Sequence, residues 1–354
     1  MDKQEVGFGI VGAGMIAPIH IEAIEATRHA RFVAIADPIE ERAAKLGAEH
    51  NARWYSDHRR MLQDREIDVV CVCTPSGMRG QVAVDAARAG KHVLVEKPLE
   101  TTLQKADAVI KACDDAGVML AAVMQCRFLK GNADLKSDII ANRLGKLVLG
   151  DAQVKWHRPQ SYYDSSSWRG TWKLDGGGAL MNQGIHYVDL LQWFMGPVEI
   201  VTAHTATLTR RIEVEDTAVA ILKFANGALG TIAACTSTYP GTPARMEVRG
   251  ERGTVIVESG QTIMRCIEGE PDSAASTAET VGGASDPSAI GMSGHQMQIA
   301  DVVSAIRNGH PPMIDGREAR KALEIILAIY ESARIGGPVS LPLTSHTLAA
   351  TEPS

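Results

Sequence analysis

The sequence predicts an α/β protein with two domains, the first of them a doubly wound parallel sheet. Strand and helix patterns alternate over residues 1–124, a glycine-rich turn joins the first strand to the first helix, and after residue 197 several strands follow without helices between them. Alternation places helices on both faces of a parallel sheet, whereas consecutive strands favour a mostly antiparallel one. With 354 residues the chain can bury two cores, and we predict domains at 1–124 and 125–354.

In the first domain, apolar runs bounded by turn residues alternate with segments of helical apolar spacing. Cys71 and Cys73 alternate within one such run, which indicates packing in a buried strand rather than metal binding. The predicted strands cover residues 5–11, 31–37, 67–73, 92–95 and 118–124, and the predicted helices cover residues 15–27, 39–48, 79–89 and 102–116.

Two glycine motifs overlap at the first junction between strand and helix. Gly7 to Gly12 matches G-x-G-x-x-G, and Gly12 to Ala17 matches the variant that ends in alanine. A phosphate-binding turn must follow a buried strand and open a helix, because the pyrophosphate meets the unpaired N–H groups of the helix start. Only the second motif follows an apolar run, at 6–11, and precedes helical spacing. It predicts a dinucleotide-binding turn with cofactor contacts from Gly12, Gly14, Met15 and Ile16.

Asp37 ends the next predicted strand, 20 positions after Ala17. In a Rossmann dinucleotide-binding domain, a carboxylate at this place hydrogen-bonds the adenosine ribose diol and repels a 2′-phosphate. The order of elements therefore predicts a Rossmann domain that binds NAD in preference to NADP. Asp37 also precedes Pro38, and a turn-forming carboxylate is the alternative interpretation.

The pattern changes in the second domain. A helix is predicted at 133–143, a strand at 147–157, a loop at 158–178 and a helix at 179–195. Small and polar residues over 268–294 predict an exposed loop. Further strands are predicted at 198–209, 216–224, 228–237, 243–249 and 253–258, and two helices at about 295–308 and 317–335.

Charge and composition exclude several classes of protein. The net charge is −6 and the basic residues are scattered, which argues against nucleic acid or an anionic membrane as the main partner. No apolar run approaches the ~18 residues of a membrane span, and residues 1–20 do not read as a signal peptide. These features predict a soluble, cytoplasmic protein.

Ligands of an open α/β sheet bind beyond the carboxyl ends of its strands. Thr74, Pro75 and Ser76 follow the predicted strand at 67–73, and Glu96 and Lys97 follow the strand at 92–95. Pro98 favours an extended backbone at Lys97. A lysine at this edge is placed to act at the nicotinamide end of a dinucleotide, although a solvated surface lysine is the alternative.

Three glycines, 176–178, lead into the predicted helix 179–195. Asn182, His186 and Asp189 recur there at i, i+4 and i+7, and form a polar stripe beside an apolar one. A lone histidine on such a helix is usually a satisfied core residue, but an amide and a carboxylate beside it indicate a polar cavity. We expect no metal, because asparagine is a poor zinc ligand.

Taken together, the segments GIVGAGMIA, ADP, TPS, AGKHVLVEKPL and WRGTW…GGGALMNQGIHYVDLL resemble the glucose–fructose oxidoreductase/inositol dehydrogenase (Gfo/Idh/MocA) family. The resemblance extends to DGREARKALEIILAIYESA near the end of the chain. It implies a Rossmann domain followed by an α/β domain with an open-faced sheet, which commonly mediates homodimers or homotetramers. It also implies that Lys97 and His186 are catalytic.

Position in the family pattern alone adds Gln125, Arg127, Tyr163, Trp168 and Arg169 to the residues read from the motifs. The full cofactor-binding set is then Gly12, Gly14, Met15, Ile16, Asp37, Thr74, Pro75, Ser76, Glu96, Lys97, Gln125, Trp168 and Arg169. The implied substrate-binding set is Lys97, Arg127, Tyr163, Asn182, His186 and Asp189.

Two positions depart from the family pattern. Inositol-dehydrogenase-like members carry aspartate four residues before the histidine; Asn182 stands there and can orient a hydroxyl but cannot relay a proton. Many members carry histidine a few residues after the Thr-Pro pair; Arg79 stands there. Arg79 is interpreted either as a group that meets an anionic substrate or as an ordinary arginine at a helix start.

These residues predict a dehydrogenase acting on a secondary hydroxyl of a sugar, a cyclitol or a nucleotide-linked uronate. His186 is the expected general base, because the imidazole pKa lies near neutrality. Lys97 would steady the developing alkoxide, while Asn182 and Asp189 orient substrate and imidazole. The alternatives are a redox-neutral lyase or glycoside-cleaving enzyme and a non-catalytic NAD-responsive protein.

The loop at 158–175 is expected to cover the nicotinamide end of the site. Its hydrogen-bonding and aromatic residues suit a polyhydroxylated ring with an apolar face. The nucleotide-sugar dehydrogenases of the family, which oxidise a uronic acid derivative, have a similar loop, so a uronate is the favoured substrate. A cationic rim is expected from Arg79, Arg158, Arg169 and Lys173.

Overall fold

The computed structural model describes residues 5–272, 284–285 and 291–344. The chain forms two compact units: Met1–Gln125 with Met292–Arg320, and Cys126–Gly291 with Lys321–Ser354. The predicted division at 124/125 assigns Met292–Arg320 to the second domain. In the structure the chain returns to the first unit over these residues. Most of the predicted exposed loop 268–294 lies outside the described residues.

The first unit contains a six-stranded sheet in the order β3-β2-β1-β4-β5-β6. Every pairing in it is parallel. This is the doubly wound order, in which the strand order reverses between β1 and β4. Its strands are β1 (Val6–Val11), β2 (Ala30–Ala36), β3 (Arg53–Tyr55), β4 (Val69–Val72), β5 (His92–Val95) and β6 (Leu120–Ala122). Its helices are α1 (Ala17–Glu25), α2 (Glu40–Glu49), α3 (His58–Met61), α4 (Arg79–Arg88) and α5 (Leu103–Ala116).

The predicted elements of this unit are all present, with each end within two residues of its predicted place. The agreement reflects strong local patterns: β1, for example, is buried at every position, as expected of a strand covered on both faces. The sequence analysis missed β3 and α3. β3 has only three residues, two of them exposed, and α3 has four, so neither carries a readable period.

The second unit contains an eight-stranded sheet in the order β13-β12-β11-β7-β10-β9-β8-β14. Its pairings are antiparallel except for β7 with β10, which confirms the mostly antiparallel prediction. The strands are β7 (Leu147–Lys155), β8 (Val198–Ala206), β9 (Thr217–Phe224), β10 (Leu229–Cys235), β11 (Arg245–Gly250), β12 (Gly253–Glu258), β13 (Gln261–Ile267) and β14 (Val339–Ser340). The helices that follow β6 along the chain are α6 (Lys130–Ile140), α7 (Gln160–Asp164), α8 (Ile185–Met195), α9 (Ser293–Asn308) and α10 (Gly316–Ile335).

One face of this sheet is open. Along β9, Ala218, Ala220 and Leu222 are buried, while Val219 and Ile221 are 53% and 60% exposed. The neighbouring strand adds Leu229, also 53% exposed. The period of two therefore places one apolar set in the core and leaves a second set on the surface.

The predicted helix 179–195 is not a single α-helix. Ala179–Gly184 is π-helical, and α8 begins at Ile185. A π-helix widens the backbone turn, so the predicted i, i+4 stacking of Asn182 over His186, which assumes 3.6 residues per turn, does not apply across this junction. A π-helical turn at such a place is frequently associated with a functional site.

Helix α9 belongs to the first unit. Ile299, Val302 and Val303 join the core around β1 and α1, and the Gln298 side chain donates a hydrogen bond to the backbone carbonyl of Ala122 at 2.5 Å. Among the described residues, no helix combines the length and apolar character that crossing a membrane requires.

Candidate active site

The turn between β1 and α1 has the backbone that the second glycine motif predicts. Gly12 has a φ of +103°, and a Cβ there would lie 2.7 Å from the carbonyl oxygen of Cys73, so only glycine fits. A Cβ on Gly14 would meet no atom within 4 Å, and Met15 is 52% exposed. This open turn at the start of α1 fits a pyrophosphate that approaches the backbone.

The glycines of the first motif serve the packing of β1. A Cβ on Gly7 would lie 1.9 Å from the carbonyl oxygen of Glu66, and one on Gly9 would lie 2.9 Å from the Ile67 side chain. Neither glycine has a positive φ. These contacts explain two small residues in the strand without a phosphate-binding role.

Asp37 supports the dinucleotide turn directly. Its Oδ2 accepts a hydrogen bond from the backbone N–H of Ala13, and its Oδ1 accepts one from Ile39, both at 2.8 Å. The contact with Ile39 is the turn that the alternative interpretation expected, and the contact with Ala13 joins the carboxylate to the glycine turn. Each oxygen keeps a second acceptor site, so both interpretations of Asp37 are compatible with the geometry.

Arg79 ties together the two turns at the ends of β4 and β5. Its Nε donates to the carbonyl of Thr74 at 3.0 Å and its guanidinium donates to the carbonyl of Pro98 at 2.8 Å. The residue is only 7% exposed. The expectation that Arg79 belongs to a cationic rim was therefore wrong, because its side chain is used to hold the Thr-Pro-Ser and Glu-Lys-Pro segments in place.

A buried group of polar side chains surrounds the residue before Lys97. Glu96 Oε1 lies 2.9 Å from His20 Nε2 and 3.9 Å from His295 Nε2, and Glu96 Oε2 accepts the backbone N–H of Lys97 at 3.0 Å. All three side chains are at most 5% exposed. The group therefore connects α1, the end of β5 and α9 behind the predicted catalytic lysine.

The charges of this group follow from burial and hydrogen bonding. Burial lowers the pKa of His20 despite its hydrogen bond with Glu96. Burial acts to raise the pKa of Glu96, but the neighbouring imidazoles of His20 and His295 outweigh it, and that pKa lies well below its usual range. The arrangement is a carboxylate that accepts a hydrogen bond from His20, with His295 close by.

Neither histidine is predicted from the sequence, because no local signal identifies it. His20 lies on a helix and His295 lies at the start of another one, 275 residues further along the chain. The ligand atoms of His20, Glu96 and His295 lie within 4.8 Å of one another, a spacing that could also hold a metal ion. The absence of a metal stays a prediction. It is supported at this place by the Glu96 carboxylate, which already accepts hydrogen bonds with both of its oxygens.

In the second unit, glycines allow the chain to approach its neighbours closely before the π-helical segment. A Cβ on Gly178 would lie 1.8 Å from the carbonyl oxygen of Glu215, and one on Gly177 would lie 2.2 Å from the hydroxyl of Tyr330. Gly177 and Gly178 are thus required by packing at the start of the helical segment that carries Asn182 and His186. His186 is 7% exposed.

Asn182 has a carboxylate partner that the sequence analysis did not assign to the site. Its Nδ2 donates a hydrogen bond to Asp175 Oδ1 at 2.9 Å. Asp175 is 2% exposed, and its Oδ2 accepts the backbone N–H of Gly170 at 2.9 Å. Because a carboxylate accepts and does not donate, this contact fixes which end of the amide faces Asp175.

Arg127 and Asp189 do not lie on an accessible surface. Arg127 donates to Asp189 through Nε at 2.7 Å and through a terminal nitrogen at 2.6 Å, and both side chains are 1% exposed. The guanidinium also lies 5.0 Å from the ring centre of Trp193. The expectation that both residues contact the substrate is corrected by this arrangement: they form a buried bidentate ion pair between α8 and the segment before α6.

Two loop residues are also held inside the unit. Tyr163 is 5% exposed, and its hydroxyl lies 2.8 Å from the hydroxyl of Thr236. Arg158 is 3% exposed and donates to the backbone carbonyls of His157 and Ala284. Arg158 therefore does not form the predicted cationic rim, and Tyr163 is packed rather than presented to a substrate.

Arg169 and Trp168 remain partly exposed near the same loop. The Arg169 guanidinium lies 4.4 Å from the ring centre of Tyr162 and 5.3 Å from that of Trp168. It also donates to Ser165 Oγ at 2.6 Å. Of the four predicted rim residues, only Arg169 and the exposed Lys173 thus have side chains at the surface.

Comparisons with known proteins identify the family. Residues 6–124 match the family model of the oxidoreductase family with an NAD-binding Rossmann fold, and residues 133–256 match that of the GFO/IDH/MocA C-terminal domain. A curated relative, inositol 2-dehydrogenase 2 of Saccharopolyspora erythraea, is 30% identical over 272 residues, 75% of this chain and 76% of the relative.

Solved structures resemble the chain over almost its whole length. One is the WlbA dehydrogenase from Bordetella pertussis in complex with NADH and UDP-GlcNAcA, with 38% identity, a TM-score of 0.85 and coverage of 96% of this chain and 100% of that one. The corresponding enzyme from Chromobacterium violaceum, in the same complex, gives 36% identity, a TM-score of 0.85 and coverage of 97% and 98%. The chain belongs to the Gfo/Idh/MocA family of NAD-binding oxidoreductases.

Proposed function

We propose that the protein oxidises a secondary hydroxyl of a nucleotide-linked uronate, or reduces the corresponding ketone, with NAD as the redox partner. The observation that carries the proposal is the 38% identity over 96% of the chain to a dehydrogenase solved with NADH and UDP-GlcNAcA. The family establishes an oxidoreductase acting on CH–OH groups of sugar-like compounds, and the uronate is the finer assignment.

The first unit fits the cofactor. The positive φ at Gly12, the space around Gly14 and the carboxylate of Asp37 bonded to the same turn provide a cradle for a dinucleotide. When bound, NAD supplies the hydride acceptor. Asp37 favours NAD over NADP, because a buried carboxylate repels a 2′-phosphate. The remaining residues of the proposed cofactor set are Thr74, Pro75, Ser76, Glu96, Lys97, Gln125, Trp168 and Arg169.

His186 is the proposed general base. Its neutral imidazole takes the proton of the substrate hydroxyl during oxidation and returns it during reduction. Asn182 orients that hydroxyl, while Lys97 stabilises the negative charge that develops on the oxygen. Arg127, Asp189 and Tyr163 are proposed to support these groups from the interior rather than to touch the substrate.

The open sheet face supports a homo-oligomer. Val219, Ile221 and Leu229 lie on neighbouring strands and are each more than half exposed. Contiguous apolar surface of this kind marks protein interaction sites, and a second copy of the chain is the occupant we propose. A homodimer or homotetramer through this sheet is the expected assembly.

A cytoplasmic location is proposed on the state of the thiols. Cys71 and Cys113 are buried thiols of the first unit, and burial raises the pKa of Cys113 to about 11. Buried, protonated thiols persist in a reducing compartment.

The substrate assignment is tested by incubating the protein with NAD and either UDP-GlcNAcA, UDP-GlcNAc or free glucuronic acid, and following absorbance of the reduced nicotinamide. We expect turnover with UDP-GlcNAcA and at least tenfold lower kcat/KM with the other two. Turnover with a free sugar or cyclitol and none with UDP-GlcNAcA would overturn the uronate assignment. Product formation without net NADH would favour the redox-neutral alternative instead.

A further inference from the structure

Glu215 binds the start of the π-helical segment that leads into α8. Its Oε2 accepts a hydrogen bond from the backbone N–H of Gly178 at 2.8 Å, and its Oε1 accepts one from Leu180 at 2.9 Å. Its backbone carbonyl accepts the N–H of Ala179 at 3.0 Å. One residue therefore satisfies three consecutive N–H groups that a helix start leaves without partners inside the helix.

This contact depends on a very close approach of the two backbone segments around Gly178 and Glu215. The close approach is possible only with glycine at 178, where a Cβ would lie 1.8 Å from the Glu215 carbonyl oxygen. Gly178 and Glu215 therefore depend on each other: the glycine permits the close approach, and the carboxylate binds its N–H group. Glu215 lies 37 residues after Gly178 in the sequence, which is why the local pattern did not reveal it.

The Glu215 carboxylate is deeply buried and accepts a third hydrogen bond. Glu215 is 3% exposed, and the hydroxyl of Tyr330 donates to Oε1 at 3.0 Å. Burial raises the pKa of Glu215 to about 7, although the hydrogen bonds from Leu180, Gly178 and Tyr330 favour the charged form. The carboxyl group therefore changes its charge close to neutral pH.

The two phenols near Glu215 do not titrate close to neutral pH. Burial raises the pKa of Tyr163 to about 12 and places that of Tyr330 well above its usual value, so both phenols stay neutral. Tyr330 lies on α10 and Tyr163 on α7. Asp175, which precedes the glycines, interacts electrostatically with both phenols.

We propose that Glu215 is a positioning residue for the reaction, which holds Asn182 and His186 in place through the start of their helical segment. The inference rests on the proposed catalytic role of His186. The ionised carboxylate can accept all of its hydrogen bonds, and its charge is favourable at a helix N-terminus. Protonation converts one oxygen into a donor that faces a backbone N–H, and the start of the segment loses a bond.

The displacement would reach the site through the backbone. Ala179–Gly184 continues into Ile185–Met195 without a break, so a shift at residues 178–180 moves Asn182 and changes the orientation of His186. Misplacement of a catalytic group by a fraction of an ångström lowers the rate of the chemical step while leaving dinucleotide binding in the other unit unaffected. The expected signature is a change in kcat without a change in affinity for NADH.

The test compares the wild type with Glu215→Gln and Tyr330→Phe in the full-length chain. Kinetics with NAD and UDP-GlcNAcA give kcat and KM from about pH 5.5 to 9. The second readout is the ring Cε1–H resonance of His186, assigned by its loss in His186→Ala and titrated without substrate. Glutamine fills the same volume but presents an N–H group to one backbone N–H.

We expect Glu215→Gln to lower kcat about tenfold at pH 8, with the NADH dissociation constant within about twofold of the wild type. The His186 resonance of the wild type should show two inflections, one from its own protonation and a second near pH 7 from Glu215, and Glu215→Gln should remove only the second. Tyr330→Phe keeps the carboxylate but deletes one donor to the charged form, so the same inflection should move to higher pH.

Superimposable His186 titrations and kcat profiles in the wild type and Glu215→Gln would overturn the inference. If UDP-GlcNAcA is not turned over, the titration of the His186 resonance alone tests whether Glu215 positions the helix. Undiminished turnover in His186→Ala would remove the proposed role of His186, while the resonance comparison in the other variants would still decide whether Glu215 positions this helix. A variant that only loosened the fold would lower the melting temperature without removing an inflection.

Discussion

Arg127 and Asp189 are joined by two hydrogen bonds of 2.7 and 2.6 Å, with both side chains 1% exposed. A buried charge is tolerated because its partner is equally buried, and removing one partner leaves the other uncompensated. The pair connects the segment before α6 to α8 within the second unit. The ion pair therefore helps to hold α8, the helix of His186, in place. Glu215 binds the start of the segment that leads into the same helix.

Asp189→Asn should destabilise the second unit by about 3–5 kcal/mol, because Arg127 would keep its charge in an apolar surrounding. Replacing both partners, as in Arg127→Met with Asp189→Leu, should recover most of that loss. Chemical denaturation of the three proteins measures the differences. If Asp189→Asn unfolds at the wild-type denaturant concentration, the pair contributes nothing to stability and the interpretation of it as support is wrong.

His186→Ala should lower turnover by about 10²–10⁴ while leaving NADH affinity within about twofold, since a general base contributes this much to the chemical step. Stopped-flow or steady-state assays and NADH fluorescence titration measure the two quantities. His157→Ala is a matched control: that imidazole lies outside the proposed site residues and should change turnover by less than twofold. Near-wild-type turnover in His186→Ala would exclude the histidine as base.

The alternation of strands and helices and the glycine turn could be predicted because their signals are local. β1, for instance, is one apolar run, and Gly12 is constrained by the turn that follows it. The contacts of Arg79 could not be predicted from local signals. Nothing in its neighbourhood distinguishes a helix-start arginine that faces solvent from one that donates to Pro98, 19 residues away.

The remaining parts of the site depend on distant contacts. Glu96 acquires His20 across 76 residues, and Asp189 acquires Arg127 across 62. Hydrophobic periodicity predicts that such positions face inward, but not which polar group faces them. The π-helical turn at 179–184 is a similar case, since an ordinary helical pattern was read where the backbone is widened.

Asp37 offers a test of cofactor choice. NAD should bind at least about tenfold more tightly than NADP, a difference of about 1.4 kcal/mol, and Asp37→Ala should narrow that ratio. Because the carboxylate also accepts the N–H groups of Ala13 and Ile39, the variant should weaken NAD binding as well. Isothermal titration with both dinucleotides measures the ratio, and equal affinities in the wild type would mean that Asp37 serves only the turn.

The open sheet face predicts the assembly. Ile221→Lys places a charge in the centre of the exposed apolar set and should shift an oligomer towards monomer, because a buried unpaired charge at an interface costs several kcal/mol. Ile140→Lys is the matched control, since Ile140 is 75% exposed on α6 rather than on this sheet face. Analytical ultracentrifugation distinguishes the species. Equal sedimentation of wild type and Ile221→Lys, both oligomeric, would place the interface elsewhere.

The last prediction concerns how stability varies with pH, where Glu96 and Glu215 act in opposite directions. The folded chain lowers the pKa of Glu96 below its ordinary 4.5, so the stability from this group is present above pH 4.5 and is lost as the pH falls towards the folded value. Glu215 has its pKa raised from 4.5 to about 7. The folded chain then holds a proton that the unfolded chain releases, and stability falls as the pH rises from 4.5 to about 7.

Glutamine at either position removes the pH-dependent contribution of that carboxyl group to stability. The stabilities of the two variants should therefore diverge from that of the wild type at different pH. Glu215→Gln should gain stability relative to the wild type as the pH rises from about 4.5 to 7, even though we expect its turnover to be lower at about pH 8. Glu96→Gln should be destabilised most above pH 5 and approach the wild type in acid. Melting temperatures of the three proteins from about pH 2.5 to 8.5 measure this. If the difference between Glu215→Gln and the wild type stays constant across that range, Glu215 does not titrate in the folded chain, and its proposed switch near pH 7 is wrong.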